Sequence, residues 1–315
     1  MNNFYMKEAE EIIGIKFNEP KLLLTALTHS SYANQHRDEE YNERFEFLGD
    51  AILQVCITEY LFLNYKDKSE GELTKIRSLI VCENSLHEIG KSLNLGYLLR
   101  MSKGEELTGG RERVSLIADA VEALIAAIYL DKGLEFTKDY IIGRFEDIIK
   151  KKAAEEYAQR VEEYSDNLKL ATVTMLTGAS DAESSANLIK QVWYNAIYEK
   201  RDDKTDKYTR PKGYFVSDFN DALGNLYTDS SFSSKISSIE DNQDTVNALM
   251  KKLKNPPDEY KDAYDAVSDL YDAYISLINC ATDPSGSLQT YSSTFNDADT
   301  NTLNAYKAME LYLDD

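Results

Sequence analysis

Cysteine is scarce in this 315-residue chain, and the three present, Cys56, Cys82 and Cys280, stand far apart. They cannot form a disulfide framework, and without a Cys-x-x-Cys pair or a Cys/His cluster they offer no zinc site. Buried thiols are the expectation. Long apolar runs are missing too. Stretches such as Ala123 to Leu130 fall far short of the ~20 residues that span a bilayer, so no membrane partner is expected. The N-terminus, with Lys7, Glu8, Glu10 and Glu11, lacks the basic then apolar order of a signal peptide, and a cytoplasmic location follows. Basic excess is also absent, since the formal net charge is −20. Residues 1–150 carry 18 Lys+Arg against 26 Asp+Glu, and residues 151–315 carry 17 against 29, so the halves stand at −8 and −12. Phosphate binding normally draws on a basic surface, which weighs against nucleic acid. A divalent-metal site, however, must itself be rich in carboxylates, and net charge governs solubility and steering more than fold. The acidic balance weakens a nucleic-acid reading and does not remove it.

What is present is the composition of a globular protein, 43% hydrophobic and 29% charged. The length favours two domains, each able to bury its own core. Apolar residues recur at spacings of three and four with no alternating runs, which predicts an all-α chain. In the first half the pattern predicts helices at about 4–14, 19–34, 40–64, 70–82, 83–93, 111–131 and 134–150. The 111–131 helix is apolar on most faces through Ile117, Ala118, Val121, Leu124, Ile125 and Ile128, as a central buried helix would be. Near residue 151 the character changes: all three histidines precede it, and 14 of 22 tyrosines and the single tryptophan, Trp193, follow it. Breakers near Thr177-Gly178, Pro211-Lys212-Gly213, Pro256-Pro257 and Pro284-Ser285-Gly286 divide the second half into predicted helices at about 152–176, 182–200, 215–227, 240–254, 257–281 and 294–313. No breaker separates 134–150 from 152–176, so one helix should run through both. The expected domains are 1–151 and 152–315, the latter an acidic helical bundle. Tyr260, Tyr264, Val267, Tyr271, Tyr274 and Ile278 share one helical face there and read as core.

Carboxylates carry the chemistry. Glu43, Glu46 and Asp50 lie three and four residues apart on the 40–64 helix, so they share a face, where like charges destabilise the helix. Asp119 and Glu122 repeat the spacing on the otherwise apolar helix, with no Lys or Arg between Ser115 and Leu130. Partly buried carboxylates are costly unless paired or bound to metal. Glu70 opens another predicted helix. Each group has an ordinary explanation: a solvated face for Glu43 and Glu46, a salt bridge from elsewhere for Asp119 and Glu122, a favourable helix-dipole charge for Glu70. Spacing alone leaves these alternatives open beside a divalent-metal site.

The segment Glu43-Arg44-Phe45-Glu46-Phe47-Leu48-Gly49-Asp50-Ala51 resembles the signature of the ribonuclease III family. Its companions occur in order: Ala26-Leu27-Thr28-His29-Ser30-Ser31-Tyr32-Ala33-Asn34 before it, then Glu70-Gly71-Glu72-Leu73-Thr74-Lys75-Ile76-Arg77, Gly109-Gly110-Arg111-Glu112-Arg113, and Ala118-Asp119-Ala120-Val121-Glu122-Ala123-Leu124-Ile125. The resemblance covers about residues 1–150. It implies a ribonuclease III-type helical endonuclease domain that cleaves double-stranded RNA to 5′-phosphate and 3′-hydroxyl ends and works as a homodimer. It also implies Mg2+, or Mn2+ in its place, held by Glu46, Asp50, Asp119 and Glu122, with Asp50 and Glu122 catalytic and Glu43 and Glu70 assisting. A non-catalytic RNA-binding or scaffold protein is the alternative, and the intact acids argue against it.

Bacterial members of that family usually continue into a double-stranded RNA-binding domain with a three-stranded sheet. Residues 152–315 show no strand triplet and no basic helix start, and their balance of −12 suits phosphate contacts poorly. A protein-interaction module taking a protein partner, a natural fusion and an engineered fusion are the readings of this half.

Overall fold

The computed structural model describes residues 3–36 and 39–313. Among these, all regular structure is helical. The elements are α1 (Asn3–Ile13), α2 (Pro20–Ala26), α3 (Ser30–Ala33), α4 (Glu43–Asn64), α5 (Glu70–Ile80), α6 (Glu83–Ser92), α7 (Leu95–Leu98), α8 (Lys103–Leu107), α9 (Val114–Lys132), α10 (Leu134–Ile197), α11 (Asp206–Thr209), α12 (Phe219–Thr228), α13 (Ser230–Leu253), α14 (Lys261–Thr282) and α15 (Leu288–Glu310). The one β contact is an isolated bridge between Thr28 and Arg100. No helix of the described residues is long and apolar enough to cross a membrane.

Two compact units divide the chain, Met1–Ala158 and Gln159–Asp315. In the first, α9 is the hub. Ile117, Ala118, Ala120, Val121 and every residue from Ala123 to Ile128 are buried, because its small and branched side chains let α2, α4 and α6 pack around it. Gly90 brings α6 close: a Cβ there would stand 2.3 Å from Ile117 Cγ2. The start of α5 is fixed by a capping box, in which Ser69 Oγ accepts the Glu72 N–H and Glu72 accepts the Ser69 N–H.

Helix boundaries differ from the periodic pattern where distant chain intervenes. The predicted 19–34 helix is two helices, because the backbone around Thr28 pairs with Arg100 and His29 then caps α3. Thr177-Gly178 does not end a helix, and α10 runs unbroken for 64 residues. Gly178 serves packing instead. A Cβ there would meet Asn242 Oδ1 at 2.1 Å and Tyr274 Cε2 at 3.1 Å.

The second unit buries Trp193, Phe232, Val267, Leu270, Tyr274, Leu277, Ile278, Tyr291 and Phe295. Three of its tyrosines pack their rings inward and bond their hydroxyls: Tyr274 donates to Asn242 Oδ1 at 2.8 Å, Tyr227 to the Ala281 carbonyl at 2.6 Å, and Tyr291 to the Cys280 carbonyl at 2.8 Å. Of the tyrosine stripe, Tyr274 is core, while Tyr264 and Tyr271 on α14 and Tyr260 just before it are partly buried against that core.

Candidate metal centre

The acids meet where α4 crosses α9. Gly49 makes that crossing close, since a Cβ on it would stand 1.8 Å from the Glu122 carbonyl oxygen. Any side chain would therefore push the helices apart. Glu46 lies one turn before Gly49 and Asp50 immediately after it, while Asp119 lies one turn before Glu122 on the facing helix. Carboxylate oxygens of Glu46, Asp119 and Glu122 all fall within 4.8 Å of one another, and each residue is half-buried.

Like charge accumulates at this crossing. Burial, then the charges of Asp50, Glu46 and Asp119, push the Glu122 carboxyl up to about 8. Burial first, then Asp119, Glu43 and Asp50, raises Glu46. Asp119 is raised by burial and by Glu83, and drawn back by His29. Among the described residues, no side-chain hydrogen bond or ion pair reaches the three clustered carboxylates, so the salt-bridge explanation for Asp119 and Glu122 finds no cation. Three oxygen donors that close, raised in pKa and unpaired, fit a hard divalent cation.

The other expected residues stand apart from this triad. Asp50 is exposed and accepts from Gln54 Nε2 at 3.3 Å, yet of the carboxylates its charge bears most strongly on Glu122. Glu43 is exposed one turn before Glu46 and acts on it only through charge. Glu70 is not brought to the triad of its own chain. It accepts from Thr74 Oγ1 at 3.1 Å and lines a groove of about 620 Å³ with Leu61, Phe62, Tyr65 and Leu73. Sequence reasoning missed Glu83 and His29, which act on Asp119 from α6 and from the α2–α3 segment. His29 stands inside a quoted motif, and that was its only signal.

A family model described as Ribonuclease-III-like matches residues 19–150. Ribonuclease 3 of Clostridium beijerinckii is 68% identical over 151 residues, which cover 48% of this chain and 65% of that protein. Ribonuclease 3 of Clostridium acetobutylicum is 56% identical over 162 residues, covering 50% of this chain and 70% of that protein. The chain belongs to the ribonuclease III family. Its match to the Clostridium beijerinckii and Clostridium perfringens family members spans 65% and 66% of their lengths. A solved nuclease domain of the ribonuclease III of Campylobacter jejuni is 41% identical, with a TM-score of 0.42, covering 47% of this chain and 96% of that one.

Proposed function

We propose that the first unit is a divalent-metal-dependent endonuclease that cleaves double-stranded RNA. The observation that carries this is the unpaired triad of Glu46, Asp119 and Glu122, with oxygens within 4.8 Å and Glu122 raised to about 8. The reaction adds one water to a backbone phosphorus and expels the 3′ oxygen, leaving 5′-phosphate and 3′-hydroxyl ends. Magnesium, or manganese in its place, when bound supplies a more acidic water and offsets charge on the phosphate. Glu46, Asp119 and Glu122 would hold the ion, with Asp50 one turn along α4 as the fourth acid. Glu122, half-buried and under the charge of three carboxylates, keeps its proton near neutrality until a cation arrives. Asp50, more open to solvent, is suited to orient a water. A cytoplasmic site of action belongs to the same reading.

Cleavage of both strands favours a homodimer. On α4, Ile52 and Leu61 turn into the core, whereas Phe47, Val55 and Phe62 are 83%, 56% and 69% exposed. Phe47 and Phe62 lie ~22 Å apart along the helix, with Val55 midway. Antiparallel pairing of two α4 helices about Val55 would seat each Phe47 near the partner's groove and bring each Glu70 toward the partner's acids. That gives Glu70 an assisting role which its own chain does not. Residues 152–315 are assigned no part in cleavage, and their acidity suits a protein partner better than RNA.

The test is incubation of the full chain with a long RNA duplex. Cleavage is expected in magnesium and not in chelator, and it should be lost in Glu122→Gln at an unchanged fold. Cleavage that persists in chelator, or undiminished in the variant, would overturn the assignment.

A further inference from the structure

The first turn of α4 carries Glu43 and Glu46, yet the local sequence does little to fix it. Asn42 stands at the N-cap position with helical backbone (φ −76°, ψ −18°) and makes no side-chain cap. A start of that kind leaves backbone N–H groups without the partner that usually holds a first turn. What holds this one comes from elsewhere in the chain. The Asn42 N–H donates to the Thr28 carbonyl at 2.9 Å, and the Asn42 carbonyl accepts the Phe45 and Glu46 N–H groups, each at 2.8 Å. The place of Thr28 therefore sets where the Glu46 backbone enters the helix.

Thr28 is held in turn by Arg100. On either side of it the Arg100 N–H donates to the Leu27 carbonyl at 2.8 Å and the His29 N–H to the Arg100 carbonyl at 2.9 Å. The side chain reinforces the backbone. Arg100 Nη1 donates to Thr28 Oγ1 at 3.0 Å and to Glu39 Oε2 at 3.3 Å, and Nη2 donates to Glu39 Oε1 at 3.1 Å. The guanidinium lies 4.3 Å from the centre of the Tyr32 ring, which stacks on His36. One planar group thus ties Thr28 to Glu39, three residues before Asn42, and its side chain is only 16% exposed. A fork can hold both at once, and a point-charge ammonium cannot. Because Nη1 and Nη2 are both engaged, the fork is turned toward the chain rather than offered to an anion.

We propose that Arg100 is a positioning residue of the metal centre: through Thr28 and Asn42 it fixes the first turn of α4, and so the Glu46 carboxylate that takes the divalent cation. The assignment rests on the metal-dependent cleavage proposed above. Arg100→Lys keeps the charge and loses the fork. Glu39→Gln leaves the Arg100 bond to Thr28 and removes the charge that orients the guanidinium, so it carries the test should Arg100→Lys fold poorly.

The experiment measures Mn2+ binding to the full chain by electron paramagnetic resonance without RNA, thermal melting in chelator, and kcat and KM on duplex RNA across a magnesium series. Arg100→Lys should bind Mn2+ about 10-fold more weakly, the usual scale for a residue that orients a metal ligand. The magnesium needed for half-maximal cleavage should rise in step, with KM for RNA unchanged at saturating magnesium. Glu39→Gln should shift the same way by less. A variant that melts lower yet binds Mn2+ as the parent does would reduce the fork to a structural ion pair and overturn the proposal. So would a rise in KM for RNA at unchanged Mn2+ affinity, which would make Arg100 a phosphate contact. A parent that binds Mn2+ and leaves duplex RNA uncut would remove the RNA reading and leave the positioning role standing. A parent that takes up no Mn2+ would overturn the metal centre and this role with it.

Discussion

Replacing Glu122 by Gln is expected to stabilise the metal-free protein at alkaline pH, the reverse of what losing a well-paired carboxylate would do. In the folded chain this carboxyl is pushed from 4.5 up to about 8, first by burial and then by Asp50, Glu46 and Asp119. Below pH 4.5 the group is protonated whether the chain is folded or not, and it costs nothing. As pH rises from there to about 8, the unfolded chain ionises while the folded one holds its proton, so stability falls; above that window the penalty is constant. At about 1.4 kcal/mol per pH unit the ceiling is ~5 kcal/mol. Solvent at a half-buried site screens this to about 2 kcal/mol. Glutamine nearly keeps the volume and removes the charge, so the slope should vanish. For a unit of this size that is roughly 4–8 °C in melting midpoint. Melting of parent and variant in chelator at fixed salt should show a small gap at acid pH that widens on the alkaline side. Magnesium should then raise the parent more than the variant, because a ligand that binds only the folded state stabilises it. A variant that melts below its parent at alkaline pH in chelator would refute the account of the triad as uncompensated charge.

Three further outcomes are expected. Gly49→Ala, which puts a Cβ 1.8 Å from the Glu122 carbonyl, should cost about 3 kcal/mol or more in urea unfolding by forcing α4 off α9, and cleavage should fall with it. Val55→Glu would set like charges across the proposed two-fold contact, and sedimentation should then show a monomer that no longer cuts. A chain ending at Ala158 should bind duplex RNA within about threefold of the full chain at equal salt, and a much larger loss would give the acidic bundle a part in RNA binding.

How much was legible in the sequence differs from element to element. The central place of α9 could be read because its apolar residues wrap the helix, and only a buried helix is apolar on all sides. That Glu46 and Asp50 share one face, and Asp119 and Glu122 another, follows from helical spacing. That the two faces oppose each other does not, because it depends on Gly49 lying against the Glu122 backbone, a contact between residues far apart in sequence. The split between α2 and α3 was hidden for a similar reason: the Thr28 backbone answers to Arg100, about seventy residues on. At Gly178 local propensity pointed the wrong way, since a glycine that reads as a breaker is there to admit Asn242 and Tyr274. Glu70 was placed on the right helix, and it stands apart from the triad of its own chain. Nothing in its own segment says which way the start of α5 faces.

The same crossing that positions the acids also explains why the site opposes its own fold. The helices approach closely at Gly49, and the three clustered carboxylates stand half-buried within one turn of that crossing. An Arg or Lys from a neighbouring helix would relieve the repulsion, but among the described residues none pairs with the three carboxylates. The chain therefore keeps a Glu122 carboxyl that is raised to about 8 in the absence of a cation. A stretch of structure that breaks the rule of pairing buried charge is where function is expected to sit. If relief comes from a bound cation, as proposed, folding and cation binding are linked: what the triad costs the metal-free protein is what gives a divalent ion its preference for the folded state.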